Sequence, residues 1–157
     1  MERSLAPSLS IPAMTPVRPV IEHMSLGTVD LARAAAFYDA VLAPLGLARV
    51  AQEAEPSGAS ACWGPPGMLP APEGVPGSAP FWLEERDGPI ACPPGFHLCF
   101  HAPDRAAVHA FHATGLAHGG TDNGAPGPRP QYGDTYYAAF LKDLDGWRIE
   151  AVTYAPE

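Results

Sequence analysis

Residues 21–31 read IEHMSLGTVDL and residues 95–105 read GFHLCFHAPDR. In each stretch a His sits inside an apolar, β-branched or aromatic run, and a later Asp opens an alanine-rich segment. At a constant offset of 74 residues, with no gap, His23 falls on His97, Asp30 on Asp104, Ala32 on Ala106, Ala36 on Ala110, Phe37 on Phe111 and Gly46 on Gly120. Self-similarity at a fixed period marks a repeated supersecondary unit. The two histidines are therefore read as symmetry mates that converge at the junction of two units.

The rest of the chain fills in those units. PVIEHMSLGT (19–28) has the β-branched and apolar character of a strand, and Asp30 is a good N-cap for LARAAAFYDAVLAPLG. Leu31, Ala34, Ala35, Tyr38, Leu42 and Leu45 recur at three- and four-residue intervals, one face of a helix ended by Pro44 and Gly46. LARVAQE (47–53), ASACWGP (59–65) and PFWLEER (80–86) read as three further strands between Pro/Gly-rich loops, the longest being GPPGMLPAPEGVPGSAP. The second half opens with strand GFHLCFHA. Asp104 then caps RAAVHAFHATGLAH, with an apolar stripe of Val108, Phe111 and Leu116 ended by Gly119 and Gly120. TDNGAPGPRPQYGDT reads as a polar loop, with a weak strand near residues 119–123. YYAAFLKD and GWRIEAVTY read as strands joined at Asp145-Gly146, a hairpin signal in which Asp143, Asp145 and Gly146 carry turn chemistry. The expectation is an α+β fold of two βαβββ modules, residues 19–86 and 95–154, in one domain over 19–154. Residues 1–18, proline-broken, read as a flexible extension.

Strand parity turns the repeat into a site. His97, Cys99 and His101 oppose Phe96, Leu98 and Phe100, which pack under the helix; in the last strand Ile149 and Ala151 face the helix while Arg148, Glu150 and Val152 face away. Ile21, His23 and Ser25 likewise share one face of the first strand. From the residues alone, His23 and His97 read as pocket-lining hydrogen bonders, with Glu150 paired with Arg148 or a hydroxyl. His101, four residues along the strand from His97, is too distant to share an ion with it, and His109, His112 and His118 on or after the second helix suit a solvated face.

Composition limits the partners. A net charge of −8 with nine Lys plus Arg lacks the footprint of a nucleic-acid or anionic-membrane binder, so a small molecule is the expected partner. Lys142, the only lysine, follows no phosphate-binding glycine loop. Cys62, Cys92 and Cys99 form no CxxC pair and suit reduced thiols in a cytoplasm, and the N-terminal stretch holds neither an export signal nor a membrane span. Trp63, Trp82, Tyr136, Tyr137 and Phe140 are candidates for an aromatic wall around a substrate or for plain core. Arg129 is the candidate for a substrate carboxylate, and Cys99 lies on the cleft face as a small hydrophobe rather than a nucleophile.

HMSLGTVDLARAAAFYDAVLAPLGL, FHLCFHAPDRAAVHAFHATGL and AAFLKDLDGWRIEAV together resemble the glyoxalase, bleomycin-resistance and extradiol-dioxygenase superfamily, the vicinal oxygen chelate proteins, over roughly residues 19–154. The resemblance implies paired βαβββ modules forming an open U-shaped barrel with helices outside. It also implies a divalent metal (Fe, Mn, Ni or Zn) held by His23, His97 and Glu150, with Glu150 also moving a proton, and a lyase, isomerase or dioxygenase acting as a homodimer. Glyoxalase I adds a carboxylate or amide ligand from the last strand of its first module; here the matching position is Trp82, with Glu84 two residues on along the same face. The antibiotic-resistance members imply the other function, metal-free sequestration of a small molecule in the same cleft.

Overall fold

A computed structural model describes residues 21, 23–55, 58–67 and 80–156. The N-terminal extension and most of the long Pro/Gly loop lie outside the described residues. Eight strands and two helices follow in the order β1 (Met24–Thr28), α1 (Leu31–Leu42), a 3₁₀ turn (Ala43–Leu45), β2 (Ala48–Glu55), β3 (Gly58–Gly64), β4 (Phe81–Glu85), β5 (Leu98–His101), α2 (Arg105–Ala117), β6 (Thr121–Pro128), β7 (Tyr137–Lys142) and β8 (Arg148–Thr153). They form two four-stranded mixed sheets, ordered β1-β4-β3-β2 and β5-β8-β7-β6. The fold is α+β, with two βαβββ units and sheets that do not close into a barrel.

The repeat is visible in the pairing. β1 runs parallel to β4 with Met24 opposite Phe81, and β5 runs parallel to β8 with Leu98 opposite Ile149, so the first strand of each unit, with Met24 and Leu98 at the 74-residue offset, pairs in parallel with the last strand of its own unit. Helix starts obey it too: Asp30 Oδ1 accepts from Arg33 N at 3.0 Å and Asp104 Oδ1 from Ala107 N at 2.7 Å, each satisfying an orphan amide of the first turn. The whole expected face of α1, from Leu31 to Leu42 and on to Leu45, is buried. Gly46 ends it at φ +79, a left-handed conformation open to glycine at little cost.

Two expectations fail because of neighbours on other elements. Leu116 is 42% exposed, because the inward stripe of α2 passes through Val108, Phe111 and Gly115 instead. Gly115 takes that position because a Cβ there would strike the buried Leu141 side chain. The segment read as a polar loop is strand β6. Gly124, Gly127 and two prolines hide it, yet as an edge strand it tolerates missing amides, and its register with β7 breaks twice.

One core joins the units. Phe81 meets Phe100 edge to face at 5.3 Å, α1 packs on α2, and the β7–β8 turn tucks against the first unit. Asp143 accepts from Asp145 N and Trp147 N, the turn role read from the sequence, and also from Tyr38 OH at 2.7 Å. Thr28 OH donates to Asp145 at 2.6 Å, Arg33 pairs with Asp145, and Trp147 Nε1 donates to Gly27 O at 2.7 Å. Tyr38 is fully buried and its hydroxyl serves a buried carboxylate. Tyr38→Phe is therefore expected to cost about 1–3 kcal/mol in a urea unfolding curve, since Asp143 stays buried and loses a donor. An unchanged midpoint would mean that this contact contributes nothing to holding the units together.

Candidate functional site

The outward face of the second sheet carries the chemistry. Parity is as expected: Leu98, Phe100, Ile149 and Ala151 turn to the core, while His97, Cys99 and His101 are exposed and Glu150 faces outward beside them. Cross-strand register sets Cys99, Glu150, Phe140 and Gly124 in one row across β5, β8, β7 and β6. Over this row opens a cavity of about 490 Å³ lined by Gly95, Phe96, His97, Asn123, Tyr132, Tyr136, Phe140, Arg148 and Glu150.

Glu150 is its centre. Its side chain is only 1% exposed, and burying an unpartnered carboxylate is expensive. Two neighbours satisfy it: Tyr136 OH donates to Oε1 at 2.7 Å, and Nε2 of the half-exposed His97 lies 3.2 Å from Oε2. Burial, then the bond to Glu150, pushes the Tyr136 phenol well above its ordinary range, so it stays protonated and remains a donor. Burial, then the Glu150 charge, also pushes the Cys99 thiol up to about 12. Of the three free cysteines, Cys62 is buried and its thiol is also raised by burial. Alkylation at pH 8 is thus expected to mark Cys92 quickly and Cys99 about 10³-fold more slowly than an ordinary thiol, because the thiolate is the nucleophile. Peptide mass spectrometry reads this directly, and equal labelling of Cys92 and Cys99 would contradict it.

The structure brings His97, Glu150, Cys99 and Tyr136 together. It does not bring His23 to them: among the described residues no three His, Cys, Asp or Glu side chains converge on a metal-sized position, and the cavity lining holds no residue of the first unit. His23 and Ser25 lie exposed on the outward face of the first sheet, where Ser25 pairs with Trp82 as Cys99 pairs with Glu150. Glu84 is ion-paired with Arg86. Arg129 does not line the cavity; it donates to Pro128 O and Ala125 O and lies over the Phe140 ring, bracing the edge strand. Arg148 lines the cavity instead.

Of the aromatic candidates, Trp63 and Tyr137 are core, while Tyr136 and Phe140 form the wall together with Tyr132 and Phe96. Phe96 precedes the first paired residue of β5, so strand alternation does not govern it. Asn123 sits at a register break in β6, where sequence patterning gives no side-chain direction. His112, expected on a solvated face, is buried and pairs with Asp122 at 2.9 Å. No helix among the described residues is long and apolar enough to cross a membrane.

Comparison with known proteins agrees with this geometry. The family model described as Glyoxalase/Bleomycin resistance protein/Dioxygenase superfamily matches residues 20–151. A search of the curated proteins finds no match. Among solved structures, a glyoxalase/bleomycin resistance protein from Albidiferax ferrireducens is 30% identical, with 85% of this chain and 98% of that one covered at a TM-score of 0.65. Glyoxalase I from Zea mays is 20% identical at a TM-score of 0.64, with 85% of this chain matching 45% of the maize chain. A glyoxalase-related enzyme from Fulvimarina pelagi is 18% identical at 0.57, covering 84% and 86%. The last two speak for the fold alone. With its repeat, its paired βαβββ units and a family match spanning most of its length, this chain belongs to the glyoxalase, bleomycin-resistance and dioxygenase superfamily.

Proposed function

We propose that the protein is a metal-dependent enzyme acting on a small, oxygen-rich molecule, with His97 and Glu150 as one half of a divalent-metal site and His23 of a second copy as the other. The observation that carries this reading is the buried Glu150 carboxylate facing the His97 imidazole at 3.2 Å on the floor of an open cavity. Imidazole and carboxylate suit Fe, Mn, Ni or Zn, and together with a second imidazole they leave coordination positions open. Bound there, the metal would supply Lewis-acid polarisation of two vicinal substrate oxygens. Glu150 is the group to take a substrate proton, held in place by the Tyr136 hydroxyl. The free thiols suit a reducing cytoplasm. The cavity is lined by the second unit alone, so a homodimer that sets the first unit of one copy over the second unit of the other would complete it.

A second reading, a metal-free sequestration protein, is favoured by a specific observation: Tyr136 and His97 already satisfy Glu150 without an ion. Elemental analysis of protein purified without added metal or a His tag separates the two, with one metal per chain expected. Apo protein that also takes up no Mn²⁺, Fe²⁺, Ni²⁺ or Zn²⁺ on titration would leave the sequestration reading.

A further inference from the structure

The chain is acidic, with nine Lys plus Arg and a net charge of −8, yet two of its cations are cross-strand neighbours, and one of them, Arg148, lines the cavity. Lys142 on β7 is the direct cross-strand partner of Arg148 on β8. Both lie on the outward face, since Tyr137, Ala139 and Leu141 of β7 and Ile149 and Ala151 of β8 point to the core. Like charges directly opposed across a sheet are unfavourable unless an anion joins them. Arg33, Arg49 and Arg86 are each paired with a carboxylate, whereas Arg148 and Lys142 have no carboxylate partner among the described residues. Glu150, two residues along the same face, takes its contacts from Tyr136 and His97 instead.

Arg148 is also held in place. Its Nη1 donates to Pro93 O at 3.1 Å and Phe96 O at 3.3 Å and lies 3.7 Å from Cys92 Sγ. Those contacts use one terminal nitrogen. Nη2 and Nε have no protein partner among the described residues, and the side chain lines the cavity. A guanidinium fixed on one side and open on the other is a ready bidentate site for a carboxylate, with little ordering left to pay for. Beside it, Phe96, Tyr136 and Phe140 present ring surface to whatever the carboxylate is attached to.

We infer that the cavity is selective for planar, ring-bearing carboxylates, with Arg148 as the specificity residue that fixes the carboxylate and Lys142 reinforcing its charge. This rests on the reading that the cavity binds a small molecule, and it holds whether or not a metal is present.

The test uses 2-naphthoate and 2-naphthamide, two probes of the same shape that differ in charge, titrated into the full-length protein and followed by tryptophan fluorescence and by chemical-shift changes. Wild type is expected to bind the acid about tenfold or more tightly than the amide, with the preference shrinking as salt is raised. Arg148→Gln should erase the preference while leaving amide binding within about twofold, and the retained amide binding reports an intact cavity. Because Arg148 also braces the 93–96 turn, Lys142→Gln, which disturbs no contact of the described residues, is the second variant; it should lower acid affinity about threefold and leave the amide unchanged. Equal affinity for the two probes, a preference that survives Arg148→Gln, or failure of both probes to bind would overturn the inference. None of these outcomes bears on the metal reading, which stands or falls on metal uptake measured without any ligand.

Discussion

Glu150→Gln is expected to abolish stoichiometric uptake of a divalent metal while leaving the fold intact. The carboxylate is buried at 1% exposure and sits between a phenol at 2.7 Å and an imidazole at 3.2 Å. Gln keeps the volume and can still accept from Tyr136, so the cavity floor should survive and thermal unfolding should move little. What Gln lacks is the negative charge, and a hard or borderline cation held by two imidazoles and an amide loses its only anionic ligand, a loss worth more than about 100-fold in affinity. Calorimetric titration of Mn²⁺, Fe²⁺, Ni²⁺ and Zn²⁺ into the apo forms of both proteins, with circular dichroism to confirm folding, decides it. If the variant binds as wild type does, Glu150 is only a wall of a binding pocket.

Which parts of this site were legible in the sequence follows from the range of the interactions that build them. The Asp30 and Asp104 caps, the inward face of α1 and the alternation in β5 and β8 are local, set within a turn of helix or two residues of strand, and each is in the structure where the pattern put it. The repeat added the long-range equivalence of β1 with β5, which the parallel pairing of Met24 with Phe81 and of Leu98 with Ile149 carries, but the convergence of His23 on His97 expected from it is not part of the cavity, which the second unit alone lines.

Other features depend on neighbours that no local window contains. Leu116 lost its inward place to Gly115 because of Leu141 on another element. β6 reads as loop because glycine and proline oppose strand formation, and its eight residues are held by pairing with β7 at a sheet edge. Arg129 and Arg148 are alike as letters. Parity did turn Arg148 outward, but only the carbonyls of Pro93 and Phe96 show which guanidinium is fixed beside the cavity, and Ala125 O and Phe140 explain what the other one does.

Mixing two inactive variants should restore metal binding if the site is shared between copies. Each copy has one outward face bearing His97 and Glu150 and another bearing His23, Ser25 and Trp82, and the cavity on the first draws no residue from the second. The 74-residue symmetry makes these faces equivalents, so a twofold dimer that lays one kind on the other creates two identical junctions, each pairing His23 of one copy with His97 and Glu150 of its mate. His23→Ala and Glu150→Gln should then each bind no metal alone. In a heterodimer of the two, one junction receives both defects and the other receives none. Equimolar unfolding and refolding together, with random pairing, is therefore expected to return about one quarter of a metal per chain. A mixture that stays at zero while the wild type binds would place the three ligands within one chain. Full binding by His23→Ala alone would make the site a two-residue one, supported by His97 and Glu150 without help from the first unit.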